Sequence, residues 1–531
     1  MNERDDKMGS VEEERALLGR AENKPCVRDG SELCDCPVCD AYVPFNWSEW
    51  LTFSGVSWIT AVAFLDPGNL ECDLQVGTLY EYKLVWVLVW TTAIALWMQV
   101  LAARLGLVTG KHLAEHCREQ YSTAPRMVLF VISQLGVVSF DVAEVIGTAM
   151  ALRILFNIPL PLGCCISALD TLLILLLQKW GAKKVEAVIE AGLAVLGLCF
   201  VLELYLARPS VPGIAIGAVV PSVPDGNAWF FLVSILGSVV MGHNLFLHSG
   251  LILTRLGSDH HLQTRSEIKK KIRYASLESF VALAVSLVIN IAVVAVAAAK
   301  LFPHNAEARF ANVGLQDASV LLGEVLSKYQ NVAPTAWAIA LLCSGHAATV
   351  TGTYASQLIV EGFFGLNRGN TKSSWIVNLL TRGTAILPAL GAALWAGEAS
   401  ADKLIVATQL VVSIQLPLVS IPLLRFAESP AIMGSFALKG AERVLGWAIV
   451  AICIAVNVVL VLQSLNDLDV MQTILSSKHA DLGHRLFVQS TVIVTLIAFV
   501  AYSRLVVYLM RADVYKAEAA TGHIRHMNGG A

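Results

Sequence analysis

The sequence predicts an all-α membrane protein of about 12 transmembrane helices, arranged as two inverted five-helix repeats. Three features point there. The chain of 531 residues is 56% apolar and only 15% charged; its apolar residues fall in separated runs; and the first and sixth runs carry helix-disrupting motifs. An average soluble domain is roughly 25% charged, so lipid is the main solvent here. The formal net charge of −3 and the scattered basic residues leave no nucleic-acid footprint.

A helix crossing ~30 Å of hydrocarbon needs about 20 mostly apolar residues. Such runs cover residues 51–79, 84–105, 127–156, 162–178, 185–206, 228–254, 276–301, 333–360, 374–396, 403–424, 443–463 and 486–510. No cleavable signal peptide precedes the first run, which is therefore expected to act as its own insertion signal. An even number of spans places both termini on one side. Loops on that side hold the dense set Arg255, Arg265, Lys269, Lys270, Lys271 and Arg273, with smaller groups around Arg104, Lys183, Arg368 and Arg425. The opposite loops are nearly bare of basic residues, so both termini are expected to be cytosolic.

The first run contains Leu65-Asp66-Pro67-Gly68-Asn69 and the sixth contains Met241-Gly242-His243-Asn244. Proline removes a backbone donor and glycine favours unwound chain. Broken backbone at membrane depth is tolerated only where it lines a cavity. The two breaks lie five spans apart, an odd offset, so helices 6–10 repeat helices 1–5 with inverted topology. The expected division is a cytosolic Cys-containing tail (1–48), a first repeat (49–206), a second repeat (207–424), helices 11 and 12 (425–510) and a second cytosolic tail (511–531).

Ionisable groups inside spans are costly and point to function. They are Asp66, Asp141, Glu144, Asp170, His243, His248, Glu278, His346, Glu361 and Arg382. Asp66 and Asn69 offer hard oxygens, the unwound backbone frees carbonyls such as that of Ala63, and Met241 offers a thioether from the other break. Carboxylate, amide, carbonyl and sulfur together suit a divalent transition metal better than Ca2+ or Mg2+. Met241 as packing filler is the competing reading.

The run Asp66-Pro67-Gly68-Asn69, the segments Ala102–Lys111 and Asp141–Ala149, and the run His243–Ser249 resemble the natural resistance-associated macrophage protein (Nramp) family of proton-coupled divalent metal transporters. Matches at Asn290–Val294, Thr351–Ala355, Gln415-Leu416-Pro417 and Arg425-Phe426 extend the resemblance over about residues 48–510. It implies a LeuT-like fold in which Asp66, Asn69 and Met241 ligate the metal, with the carbonyls of Ala63 and Ser238, and with Gln409 in some conformations. It further implies proton movement through Asp66, His243, Asp141 and Glu144, with Arg382 as their partner. Asp141 and Glu144 share a helix face, where two carboxylates in low dielectric tend to share a proton. A static salt bridge to Arg382 is the alternative for that pair, and a satisfied structural histidine the alternative for His243. His248 reads as structural.

Two departures stand out. The family usually has proline where this chain has Gly242, and glutamine where it has His346. An imidazole at His346 reads as a proton carrier, a further ligand or a changed packing contact. The implied substrates are a divalent ion such as Mn2+ or Fe2+ and protons, with the lipid bilayer as surroundings, no resident cofactor and no enzymatic activity. A shifted selectivity for Mg2+ or a trivalent cation, a metal sensor that does not transport, and a symporter of an organic substrate are the alternatives. The membrane is expected to be vacuolar, endosomal or plasma membrane. In the N-terminal tail, Cys26, Cys34, Cys36 and Cys39 read as a labile metal site, palmitoylation sites or a Cys-rich disordered tail. Glu13-Glu14-Arg15-Ala16-Leu17-Leu18 resembles an acidic dileucine signal for a sorting adaptor. The glycosylation triplet Asn46-Trp47-Ser48 falls on the cytosolic side and is expected to be unused.

Overall fold

The computed structural model describes residues 44–167, 182–225, 228–256, 264–304, 314–315, 318–319, 332–366, 383–384, 386–391, 393–394, 398–467 and 482–513, and these contain helices and no strand. Asp170, Arg382, the tail cysteines and Glu13–Leu18 lie outside the described residues, as do most of runs 162–178 and 374–396. Among the described residues, seven helices are long and apolar enough to cross a membrane. Large apolar side chains on their outer faces, such as Trp90, Leu198, Val288 and Leu462, are exposed by 60–70%. In a lipid solvent such faces carry no penalty.

The chain begins with α1 (Trp47–Phe53), capped by the Asn46 side chain, which accepts from the backbone N–H of Ser48 and Glu49. Gly55 then adopts φ 133°, a conformation that favours glycine, and separates α1 from α2 (Val56–Val62). A single turn, Ala63–Leu65, links α2 to α3 (Pro67–Tyr80). Next come α4 (Val85–Thr109), the short α5 (Leu113–Gln120), α6 (Thr123–Phe156), α7 (Ala182–Ala207) and α8 (Val211–Val219). The sixth run is α9 (Ala228–Val239) followed by α10 (Gly242–Leu251). The second half continues with α11 (Arg265–Lys300), α12 (Val332–Phe364), α13 (Glu398–Glu428), α14 (Pro430–Met433), α15 (Gly440–Asp467) and α16 (Leu482–Arg511).

Three boundaries differ from the sequence expectation. The first run is cut twice, at Gly55 as well as at Asp66. The seventh span starts at Arg265 rather than near 276, because Thr264 and Glu267 form a capping box that starts the helix early. The second break falls at Val240-Met241, and His243 and Asn244 already belong to α10.

The tenth span, α13, carries Pro417 and Pro422 inside the helix. Pro417 has no N–H to give the carbonyl four residues back, which is that of Ser413. Asn457 on α15 supplies the missing donor: its Nδ2 donates to Ser413 O at 2.9 Å, while the Ser413 hydroxyl donates to Asn457 Oδ1 at 2.9 Å. Replacing Asn457 by Leu leaves a buried carbonyl and hydroxyl unpaired. It should lower stability by about 1–3 kcal/mol, read by thermal unfolding of the detergent-purified protein. The loss should shrink in a Pro417→Ala background, where a helical N–H returns. An equal loss in both backgrounds would contradict this pairing.

Candidate metal site

Asp66-Pro67-Gly68-Asn69 is first a helix start. Asp66 is the N-cap of α3 in an extended conformation, as a residue before proline prefers. Pro67 takes the first helical position, where its missing N–H costs nothing. The Asp66 carboxylate accepts from Gly68 N at 3.2 Å and from Asn69 N at 2.9 Å, the usual work of a capping side chain. The same carboxylate is fully buried and faces the gap between the two halves of the first span.

Unwinding strips hydrogen bonds from several carbonyls, and each has found a side-chain donor. Asn244 Nδ2 donates to Thr60 O at 3.1 Å, Ser286 Oγ to Ala61 O at 3.2 Å, and Asn290 Nδ2 to Phe64 O at 3.0 Å. The Ser344 hydroxyl donates to Leu65 O. Helices α10, α11 and α12 therefore each hold the break.

Asn69 occupies the centre. Its Nδ2 lies 2.6 Å from Asp66 Oδ1, 2.9 Å from Ser238 O and 3.4 Å from Ala63 O. Three oxygens from both broken helices thus converge on one N–H2 group, while Asn69 Oδ1 is buried with no hydrogen-bond partner among the described residues. Gln409 of α13 stands over the same spot: a Cβ at Gly68 would run into its side-chain amide and come within 2.9 Å of Asp66 Oδ2. Met241, the residue that starts α10, is buried in an apolar cluster with Ala63, Phe140, Ala348 and Val412. The structure therefore gathers Asp66, Asn69, Ala63, Ser238, Gln409 and Met241 around the two breaks. Among the described residues no group of three or more His, Cys, Asp or Glu is placed to hold a metal ion.

Beside Met241 a cavity of about 10 Å3 is lined by Gln99 and Asn244 among others, room for about one water. Gln99 Oε1 and Asn244 Oδ1 are buried there without hydrogen-bond partners among the described residues. Asn244 entered the sequence reading only as part of the second break, and Gln99 not at all; an isolated amide in an apolar span was the available signal. Asp73, seven residues beyond Asp66, is also buried and was missed because it follows Glu71 near a polar stretch.

His243 is buried, with its ring centroid 4.7 Å from that of Phe140 and neither ring nitrogen hydrogen-bonded among the described residues. Asp141 and Glu144 are buried on α6, and Asp141 Oδ1 lies against Gly352 of α12. Other candidates have hydrogen-bond partners of their own. His248 meets Thr60 Oγ1 and Gln99 Nε2 at 3.3 and 3.2 Å, and Glu278 accepts from Gly55 N and Ser57 N at 2.7 and 2.8 Å, capping α2. His346 is tied to its own helix, with Nδ1 2.9 Å from Leu342 O.

Two half-helices meeting at a buried carboxylate, in spans that occupy corresponding places in inverted repeats, define an integral membrane protein of the LeuT-like carrier class. A mutant of the Eremococcus coleocola manganese transporter has a crystal structure similar to this one, with a TM-score of 0.74 at 26% identity over 89% of this chain and 98% of that one. A nucleobase-cation-symport-1 family transporter shares the fold alone, at a TM-score of 0.50 and 13% identity over 88% and 95% of the two chains. The family model described as natural resistance-associated macrophage protein-like matches residues 57–463, and the chain belongs to that family. Metal transporter Nramp6 of Arabidopsis thaliana is 40% identical over 418 residues, 78% of this chain and 77% of the relative.

Gly242 has a steric reason. A Cβ there would lie 2.9 Å from Gln415 Nε2 and 3.0 Å from Val419 Cγ2, so glycine makes room for α13 beside the second break. The nearest atom is the far end of a flexible side chain that can swing aside, so Gly242→Ala should cost at most about 1 kcal/mol in thermal unfolding, and adding Gln415→Ala should recover part of any loss. Strict additivity of the two substitutions would contradict the contact.

Proposed function

We propose that the chain is a proton-coupled secondary transporter that moves divalent transition-metal ions, Mn2+ or Fe2+, into the cytosol. The convergence of Asp66 Oδ1, Ala63 O and Ser238 O on the Asn69 amide nitrogen carries this reading. An N–H2 donor drawing three oxygens occupies the place a cation would take. Half a turn of the amide would aim its Oδ1, unpartnered among the described residues, at an ion in that place, adding a fourth oxygen to a cluster that Gln409 and the Met241 thioether can join. Sulfur favours transition metals over Ca2+ and Mg2+. The metal and protons are substrates, with no resident cofactor, and the chain acts as a carrier rather than an enzyme.

Asp66, His243, Asp141 and Glu144 serve as the proton route, with Arg382 as their partner. Alternating access follows from rocking of the repeat 49–206 against the repeat 207–424 about the two breaks. Both termini face the cytosol, as the basic loops imply, in a vacuolar, endosomal or plasma membrane. An inside-negative potential favours cation entry by about 2.3 kcal/mol per charge per 100 mV.

Purified protein in liposomes should take up Mn2+ faster when the outside is acidic. Asp66→Ala should cut that uptake by roughly 10- to 100-fold. No uptake by the wild-type chain would favour a sensor, and metal uptake unaffected by Asp66→Ala would remove Asp66 from the site. Met241→Ala should admit Ca2+ measurably better in the same assay. Unchanged discrimination would point instead to shifted selectivity set near Gly242.

A further inference from the structure

Residues 209–224 join α7 to α9 and include no Asp, Glu, Lys, Arg or His. At their centre is α8, built entirely from Val, Ile, Ala, Gly and Pro. One side of it packs on the turn between α3 and α4. A Cβ at Gly213 would lie 2.8 Å from the Tyr82 ring, and one at Gly217 2.1 Å from Tyr82 O, so two glycines one turn apart let the helix lie flat on that residue. Both ends are tied to the same place: Ser210 N donates to Tyr82 Oη at 3.2 Å, and the Ser222 hydroxyl to Lys83 O at 3.0 Å. The opposite side is bare, with Val211, Ile216 and Val219 exposed by 62–77%.

The surroundings of α8 identify what covers that side. On α7, Leu198, Val201 and Tyr205 recur at helical spacing and are exposed by 63–70%, the outward face of a span in lipid. Only Arg208–Ser210 separate α7 from α8, so the bare side of α8 follows directly on a lipid-facing surface. Because both ties lead to residues 82 and 83, α8 begins and ends at one depth. Its nine residues make about 14 Å of helix, too short to cross ~30 Å of hydrocarbon. Trp86 Nε1 donates to Ser222 O at 3.0 Å and Tyr80 Oη to Asp225 Oδ1 at 3.2 Å, and aromatic side chains with polar tips gather at the membrane interface. A protein partner is met through aromatic and arginine anchors inside a polar rim, and the bare side of α8 offers none of these. A helix pairs its own backbone groups and can therefore enter an acyl layer that excludes an irregular loop.

We infer that α8 lies in the leaflet opposite α1, with its Val211, Ile216 and Val219 side against phospholipid acyl chains that hold it down on Tyr82. Tyr82 belongs to the turn that closes α3, the half-helix that starts at Asp66. The bilayer on that side thus bears, through α8, on the second half of the first broken span.

The test places the photoreactive residue p-benzoyl-phenylalanine at position 216 of the full chain, in liposomes of palmitoyl-oleoyl phosphatidylcholine. After irradiation, intact-protein mass spectrometry should show the added mass of one phospholipid, in a yield similar to that from the same residue at position 198 on α7. With the photoreactive residue at position 219 instead, adding Ile216→Glu should cut the lipid adduct by at least about threefold, because a carboxylate is expelled from the acyl layer. A cross-linked dimer in place of the lipid adduct would assign the surface to a second copy of the chain. No lipid adduct from position 216 when position 198 gives one would place α8 in water. Either result, or an adduct from position 219 unchanged by Ile216→Glu, would overturn the inference. None of these outcomes bears on metal transport, because no uptake is read.

Discussion

A bilayer provides no water to pair with exposed backbone groups, and this chain interrupts two helices inside one. Every carbonyl released by the first break must therefore be met by a donor from elsewhere in the protein. Asn244, Ser286, Asn290 and Ser344 meet those of Thr60, Ala61, Phe64 and Leu65. The requirement determines which polar residues are affordable inside otherwise apolar helices, and it fastens the break to three neighbouring spans at once.

The same constraint links structure to transport. Asp66 starts α3 and, in the same position, presents a buried carboxylate to the second break. Its backbone and amide donors hold it in place without a nearby fixed cation in those contacts. A divalent ion arriving there replaces one N–H2 donor with a stronger electrostatic partner while the surrounding contacts stay in place. Gly68 and Gly242 keep α13 close enough for Gln409 and Gln415 to face the two breaks. Relative movement of the repeats must pass through these contacts.

Much of this was legible in the residues, unevenly. Asp66-Pro67-Gly68-Asn69 announces a helix start as well as a helix break, because cap, proline and glycine each have one favoured position. The second break was read slightly too far along, since Gly242 looked like a source of flexibility whereas it supplies space. Ser238 and Gln409 became candidates only through family resemblance; a serine carbonyl has no signature, and a lone glutamine has meaning only once its neighbour is known. The supporting donors were hidden for the same reason. Asn457 gains its role from Pro417, forty residues earlier in the chain, a pairing that no local pattern reveals.

Anomalous scattering from Mn2+ bound to the crystallised protein addresses the centre of this account most directly. A peak is expected within about 2.0–2.6 Å of Asp66 and Asn69 oxygens, beside the carbonyls of Ala63 and Ser238 and the Met241 sulfur, with the Asn69 Nδ2 turned away from the ion. A peak elsewhere, or an Asn69 amide still bridging the three oxygens with metal bound, would contradict it.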